Sequence, residues 1–236
     1  MEGFTYSNIF ETKGIEYIII ISFLCLLVPV WFFISKPAKV KEQIRNAINV
    51  LTAGVLRIPQ GLFFSKNHTW VHLQKSGEAK IGLDDFLVSV IGDFKITPLL
   101  SEGDKVQKND IVAIINQKGK KLMVHSPISG EIVGTNAYIT EDSELFNRAP
   151  YEQGWLYSVK PANWRGDTSG FYLGKNATKW ITKELERFKD FLNVSIGKHS
   201  GQPSMVTLQE GGELRMNPLE ELQSEIWLDF QKEFLD

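Results

Sequence analysis

An uncharged run from Tyr17 to Ser35, YIIIISFLCLLVPVWFFIS, sets the first constraint on how this chain can fold. At about 1.5 Å rise per residue, about 19 such residues approach the ~30 Å hydrocarbon core of a bilayer. Trp31, Phe32 and Phe33 lie near one end, where aromatic rings suit the interface, and Pro29 is better tolerated among lipid-packed helices than in water. A core helix of this length would normally keep a polar face. A cleaved leader would want basic residues ahead of the run and small residues after it. Here Glu2, Glu11 and Glu16 precede it with Lys13, and no A-x-A-like site follows. Lipid attachment at Cys25 is disfavoured, because the apolar run continues well past it. The expectation is one transmembrane helix over 17–35 after a short extracytoplasmic N-terminus, 1–16. Lys36, Lys39, Lys41 and Arg45 follow the run, so the positive-inside bias puts the C-terminal body in the cytoplasm.

Past the run, Ile44, Ile48, Leu51 and Val55 have helical spacing, which predicts an amphipathic connector helix over 36–57 lying on the membrane surface or on the body. From Leu62 the pattern changes to short strands. Thr69–Leu73 and Ala79–Gly82 flank a Ser76-Gly77 turn, and Ile111–Ile115 reads as a buried strand. A return strand, Leu122–His125, follows the turn-like Gln117–Lys120. Asp84 to Val90 reads as a short helix capped by Asp84 or Asp85. Many short strands with Gly and Pro punctuation imply a mainly β small barrel or sandwich. Phe171 to Leu192 reads as helix. Residues 195–217 read as a linker or small hairpin around Gly211-Gly212. Over 218–235 an acidic amphipathic helix is expected, started by Asn217-Pro218, with Leu219, Leu222, Ile226, Phe230 and Phe234 as its stripe. Two uses of that stripe stay open: folding back on the body, or docking into a partner groove.

Chemistry-bearing motifs are scarce. Hydrophobic residues at 43 % and charged ones at 23 % describe a globular chain, and a net charge of −2 gives no footprint for nucleic acid. A single cysteine excludes an intrachain disulfide and a Cys-rich metal site. His68 and His72 fall on one face of a predicted strand, but no carboxylate or cysteine cluster joins them, so no metal site is assigned. No nucleophile elbow, P-loop or dinucleotide fingerprint occurs, and no catalytic residues are assigned. What remains is the lysine-bearing turn Lys118-Gly119-Lys120-Lys121.

Around that turn, residues 58 to 194 resemble the glycine cleavage H-protein family. The matching stretches include His68-Thr69-Trp70-Val71 (H-x-W-V in the family), Ile81-Gly82-Leu83-Asp84-Asp85-Phe86 and Glu102-Gly103-Asp104-Lys105-Val106. Ser126-Pro127-Ile128-Ser129-Gly130-Glu131 and Gly154-Trp155-Leu156-Tyr157 continue the register. The resemblance implies a barrel–sandwich hybrid with flanking helices, here carrying the N-terminal transmembrane helix. It also implies a lipoyl carrier, with lipoate joined to a lysine in an E-S-V-K-A hairpin tip. Counting back from Ser126-Pro127, Gly119 occupies the position of that lysine, and Lys118 and Lys120 flank it. The expectation is therefore a single-pass membrane protein without lipoate and without catalysis, an adaptor for a cytoplasmic partner. Glycine cleavage or other lipoate-linked redox enzymes are the partners the resemblance suggests. The alternative is a working carrier lipoylated at Lys118 or Lys120.

Overall fold

The computed structural model describes residues 9–34, 50–142, 144–200, 208–209 and 213–236. The chain divides into two compact units, Met1–Ala47 and Ile48–Asp236.

In the first unit, helix α1 runs Ile9–Ile34 with Pro29 inside it. Its described side chains, 17–31, are all exposed, and Tyr17, Ile18, Phe23, Leu26 and Trp31 stand among the most exposed large apolar groups of the chain. Among the described residues no helix is long and apolar enough to cross a membrane. The transmembrane expectation over 17–35 is therefore not carried by the described structure.

The second unit begins where a connector helix over 36–57 is expected. Residues 36–49 lie outside the described residues, and the remainder is not helical. Val50–Leu51 forms strand β1, paired antiparallel with a later strand at Leu214 and Arg215. A buried pairing partner, together with the β-branched Val50, favours the extended form over the helical spacing.

The main sheet gathers β2 (Phe63–Phe64), β3 (Thr69–Leu73), β4 (Ala79–Leu83) and, after helix α2 (Asp85–Ile91), more distant strands. The β3–β4 hairpin pairs Thr69 with Leu83 and Leu73 with Ala79, and its turn uses Gly77 at φ 88°. α2 starts where the sequence placed it: Asp84 caps it, its carboxylate accepting from Leu87 N–H at 2.8 Å. A smaller sheet holds β5 (Lys95–Pro98), then, past β6 (Lys105–Val106), β7 (Ile111–Gln117) and β8 (Lys120–His125), in the order β5-β7-β8. β9 (Gly130–Thr135) returns to the main sheet. Two short helices follow, α3 (Tyr138–Glu141) and α4 (Glu144–Arg148), and then β10 (Trp155–Pro161). After α5 (Trp164–Thr168), β11 (Tyr172–Leu173) completes the main sheet in the order β11-β2-β3-β4-β10-β9-β6. The fold is mainly β, a sandwich with flanking helices. Its core between the layers includes Phe64, Trp70, Ile81, Leu83, Phe86, Leu122, Ile132 and Tyr157, all essentially without solvent contact.

The C-terminal third departs from expectation in its boundaries. Helix α6 runs Lys175–Ser200, so Tyr172–Leu173 is strand rather than helix. Residues 195–200 are helix rather than linker, because Ile196 joins the core. β12 (Leu208–Gln209) and β13 (Glu213–Arg215) pair antiparallel, and Gly211-Gly212, where a hairpin turn is expected, lies outside the described residues. Asn217 is not a helix cap: it sits at φ 59°, and its N–H bonds to Ser89 O at 2.9 Å. The acidic helix α7 starts later, at Ser224–Phe230, and ends in a π-helical turn, Gln231–Leu235. Its stripe folds back in cis. Phe230 and Phe234 stack on each other at 4.9 Å and meet Phe188 and Phe191 of α6 edge-on.

Candidate functional site

Strands β7 and β8 are held in register down to the Gln117–Lys120 pair, which leaves a two-residue tip, Lys118-Gly119. Both tip residues have positive φ, 48° and 84°, as a tight hairpin that follows the right-handed strand twist requires. Glycine meets that demand without strain, whereas Lys118 adopts it against its preference. The base of the tip is fixed from below. The Gln117 side-chain amide is buried and donates to Ile91 O and Asp93 O, both at 2.8 Å, tying the hairpin to the end of α2.

Both flanking lysines are engaged by the C-terminal segment. Lys118 Nζ pairs with Glu220 Oε1 at 2.9 Å, and that hydrogen bond, with the carboxylate's charge, raises its pKa. Lys120 Nζ donates to three main-chain carbonyls: Glu220 at 2.7 Å, Leu222 at 3.0 Å and Leu219 at 3.3 Å. It also stands 4.6 Å over the Trp227 ring. Partial burial and then the Lys118 charge lower its pKa. Gly119 faces open space, with nothing within 4 Å of where a Cβ would stand. The residue at the expected attachment position thus has no amine, and the amines beside it are turned to the chain's own tail.

The tail continues along β8 to the other end of the hairpin. The Gln231 amide accepts from Met123 N–H at 2.7 Å and donates to Met123 O at 3.3 Å, covering the outer edge of the strand. Asn67 Nδ2 donates to Leu235 O at 2.7 Å, and His125 Nε2 lies 3.3 Å from the Asp236 carboxylate. A cavity of about 180 Å³ opens there, lined by Ser65, Asn67, Thr69, Lys108, His125 and Phe171 among others.

The two strand histidines separate. His68 precedes β3 at φ 56°, fully buried, while His72 is exposed on the strand. His68 Nδ1 lies 2.9 Å from Asp84 and Nε2 3.4 Å from Glu184, and its ring stacks on Phe86 and Trp180 at 4.5 and 5.3 Å. Sequence reasoning missed Glu184, which arrives from a helix more than a hundred residues away. Among the described residues no group of three or more His, Cys, Asp or Glu side chains is placed to hold a metal ion.

With this geometry in view, comparison with known proteins decides the family. A family model described as "Glycine cleavage H-protein" matches residues 62–184. The chain belongs to the glycine cleavage H-protein family. A glycine cleavage system H protein of Psychrobacter sp. (strain PRwf-1) is 32 % identical over 106 residues, covering 45 % of this chain and 84 % of the relative. That of Methylococcus capsulatus is 34 % identical over 104 residues, covering 44 % of this chain and 81 % of the relative. Among solved structures, the H protein of Mycobacterium marinum matches at a TM-score of 0.42 with 25 % identity, over 44 % of this chain and 87 % of the other. The family's H proteins are lipoate carriers that work with glycine cleavage enzymes and are not themselves catalysts, so the chain is a non-enzyme on family grounds.

Proposed function

We propose that this H-protein homologue is an unlipoylated, membrane-anchored docking subunit, which presents the carrier surface to a cytoplasmic enzyme without carrying cargo. The hairpin tip is the observation that carries the reading. Position 119 offers no amine, and Lys118 and Lys120 are committed to Glu220 and to three carbonyls of the same chain. The membrane part rests on the sequence run 17–35, on the exposure of the apolar side chains of 17–31 and on the lysines that follow. Glycine cleavage enzymes, or other lipoate-linked redox enzymes, are the expected partners.

A second reading has one specific observation in its favour: the Lys118 side chain remains 67 % exposed at the tip. In that reading the chain is a carrier with lipoate on Lys118, or on Lys120 after release from the tail. Intact-mass measurement of the chain purified from its native membranes separates the two. The expected mass is that of the sequence alone. A mass heavier by one lipoyl group, mapped to Lys118 or Lys120, would establish the carrier and remove the docking subunit. The docking role has its own check. Membranes carrying the chain should retain glycine cleavage or other lipoate-linked enzymes that wash off membranes lacking it, and equal retention would count against it.

A further inference from the structure

We propose that residues 217–236 are a strap closed over the hairpin tip, with the Lys120 ammonium as its bolt, so that neutralising Lys120 releases the strap at the tip. The strap has two parts with different chemistry. Its far part is apolar: Ile226, Trp227, Phe230 and Phe234 are buried against the body. Its near part, 217–223, buries Leu219 and is otherwise held to the tip and to the end of α2 by polar contacts. Asn217 and Leu219 N–H groups bond to Ser89 O and Val90 O at the end of α2, and the carbonyls of Leu219, Glu220 and Leu222 converge on one nitrogen, Lys120 Nζ. Trp227 joins the halves, its indole N–H donating to Leu219 O at 2.8 Å while its ring lies under the Lys120 ammonium.

Three carbonyls around one ammonium make charge-assisted bonds that a neutral side chain does not replace. Loss of the charge therefore loosens the near part while the apolar part stays seated. Opening uncovers the Lys120 amine beside Gly119 and releases Lys118 from Glu220, turning a fixed surface into an accessible tip. The coupling is reciprocal: whatever free energy the closed strap takes from Lys120 reactivity, neutral Lys120 takes from strap closure. The strap deepens the docking reading by giving the tip two states.

The test uses the full chain in two measurements. In the first, acetylation by sulfo-N-hydroxysuccinimide acetate is followed by peptide mass spectrometry on the unaltered protein. Lys120 should react at least about tenfold more slowly than the neighbouring exposed Lys121, because it reacts only from the opened state. Glu220→Ala should speed Lys118 and leave Lys120 protected, since the carbonyls remain. In the second, hydrogen exchange of Lys120→Gln should rise about tenfold or more over 217–223, with 79–83 and 226–235 unchanged. Equal rates at Lys120 and Lys121 would overturn the strap, as would unchanged exchange over 217–223 in a folded Lys120→Gln. If that variant does not fold, the acetylation of the unaltered chain decides. A lipoyl adduct would sink the docking subunit, whereas an unprotected Lys120 would sink the strap, so the two can fail separately.

Discussion

The imidazole of His68 has no contact with water, and that burial alone lowers its pKa. The Asp84 charge and hydrogen bond, joined by Glu184, outweigh the burial and lift it from 6.5 to about 9. Glu184 answers in the opposite sense: burial raises its pKa, but the hydrogen bonds to His68 and Arg187 win and lower it. A group whose folded pKa lies above its unfolded one stabilises the fold fully below the unfolded value. That contribution declines as pH climbs from 6.5 and is lost by the time pH passes about 9. The rise corresponds to about 3 kcal/mol. Urea midpoints measured at pH 6 and pH 10 should fall accordingly. His68→Gln should lose roughly 3–5 kcal/mol at pH 6, where it leaves the buried Asp84 carboxylate without its cation while Glu184 keeps Arg187. The deficit should narrow at pH 10, and a pH-independent deficit would rule out the charged imidazole. The sequence made His68 visible as part of H-x-W-V, but strand periodicity put it on one face with His72. The left-handed backbone at 68 breaks that periodicity, and no local pattern announces a φ of 56° at a histidine.

Short-range pairing was the most legible part of the fold. The β3–β4 hairpin, the Asp84 cap and the β7–β8 return all lie within the reach of a few residues, where turn chemistry and alternation decide. The tail was legible only in composition. Its stripe called for burial, but whether on this body or another depended on contacts from about 40 to about 110 residues away in sequence. Those contacts supply the physics that composition lacks: the Gln231 amide stands in for a neighbouring strand at Met123, blunting the exposed edge of β8. Close approach inside the main sheet is equally invisible in one sequence. A Cβ at Gly82 would stand 2.7 Å from the Trp70 ring and 2.8 Å from Gly154 O. Trp70 is wholly buried and cannot retreat. Gly82→Ala should therefore cost roughly 1–3 kcal/mol by overpacking, read as a lower thermal midpoint. An unchanged midpoint would mean that the β4–β10 seam is looser than these distances allow.

At the level of the chain, Met1–Ala47 and Ile48–Asp236 form two compact units. Among the described residues, the body's core draws on side chains from Leu51 to Leu235. The exposed apolar surface of α1 has the opposite character, with Tyr17, Ile18, Ile19 and Phe23 each more than 60 % exposed. Contiguous apolar surface of this kind marks a site that something else covers. A chain starting at Ile48 should keep the thermal midpoint of the full protein within about 2 °C, since it retains every described core residue of the second unit. It should also move from the carbonate-resistant membrane pellet to the supernatant. If the shortened chain stays in the pellet, residues 1–47 are not the anchor and the body itself binds the membrane. A fall in midpoint would instead show that α1 packs on the body, which would give its apolar side chains a partner within the protein and remove the reason to place them in lipid.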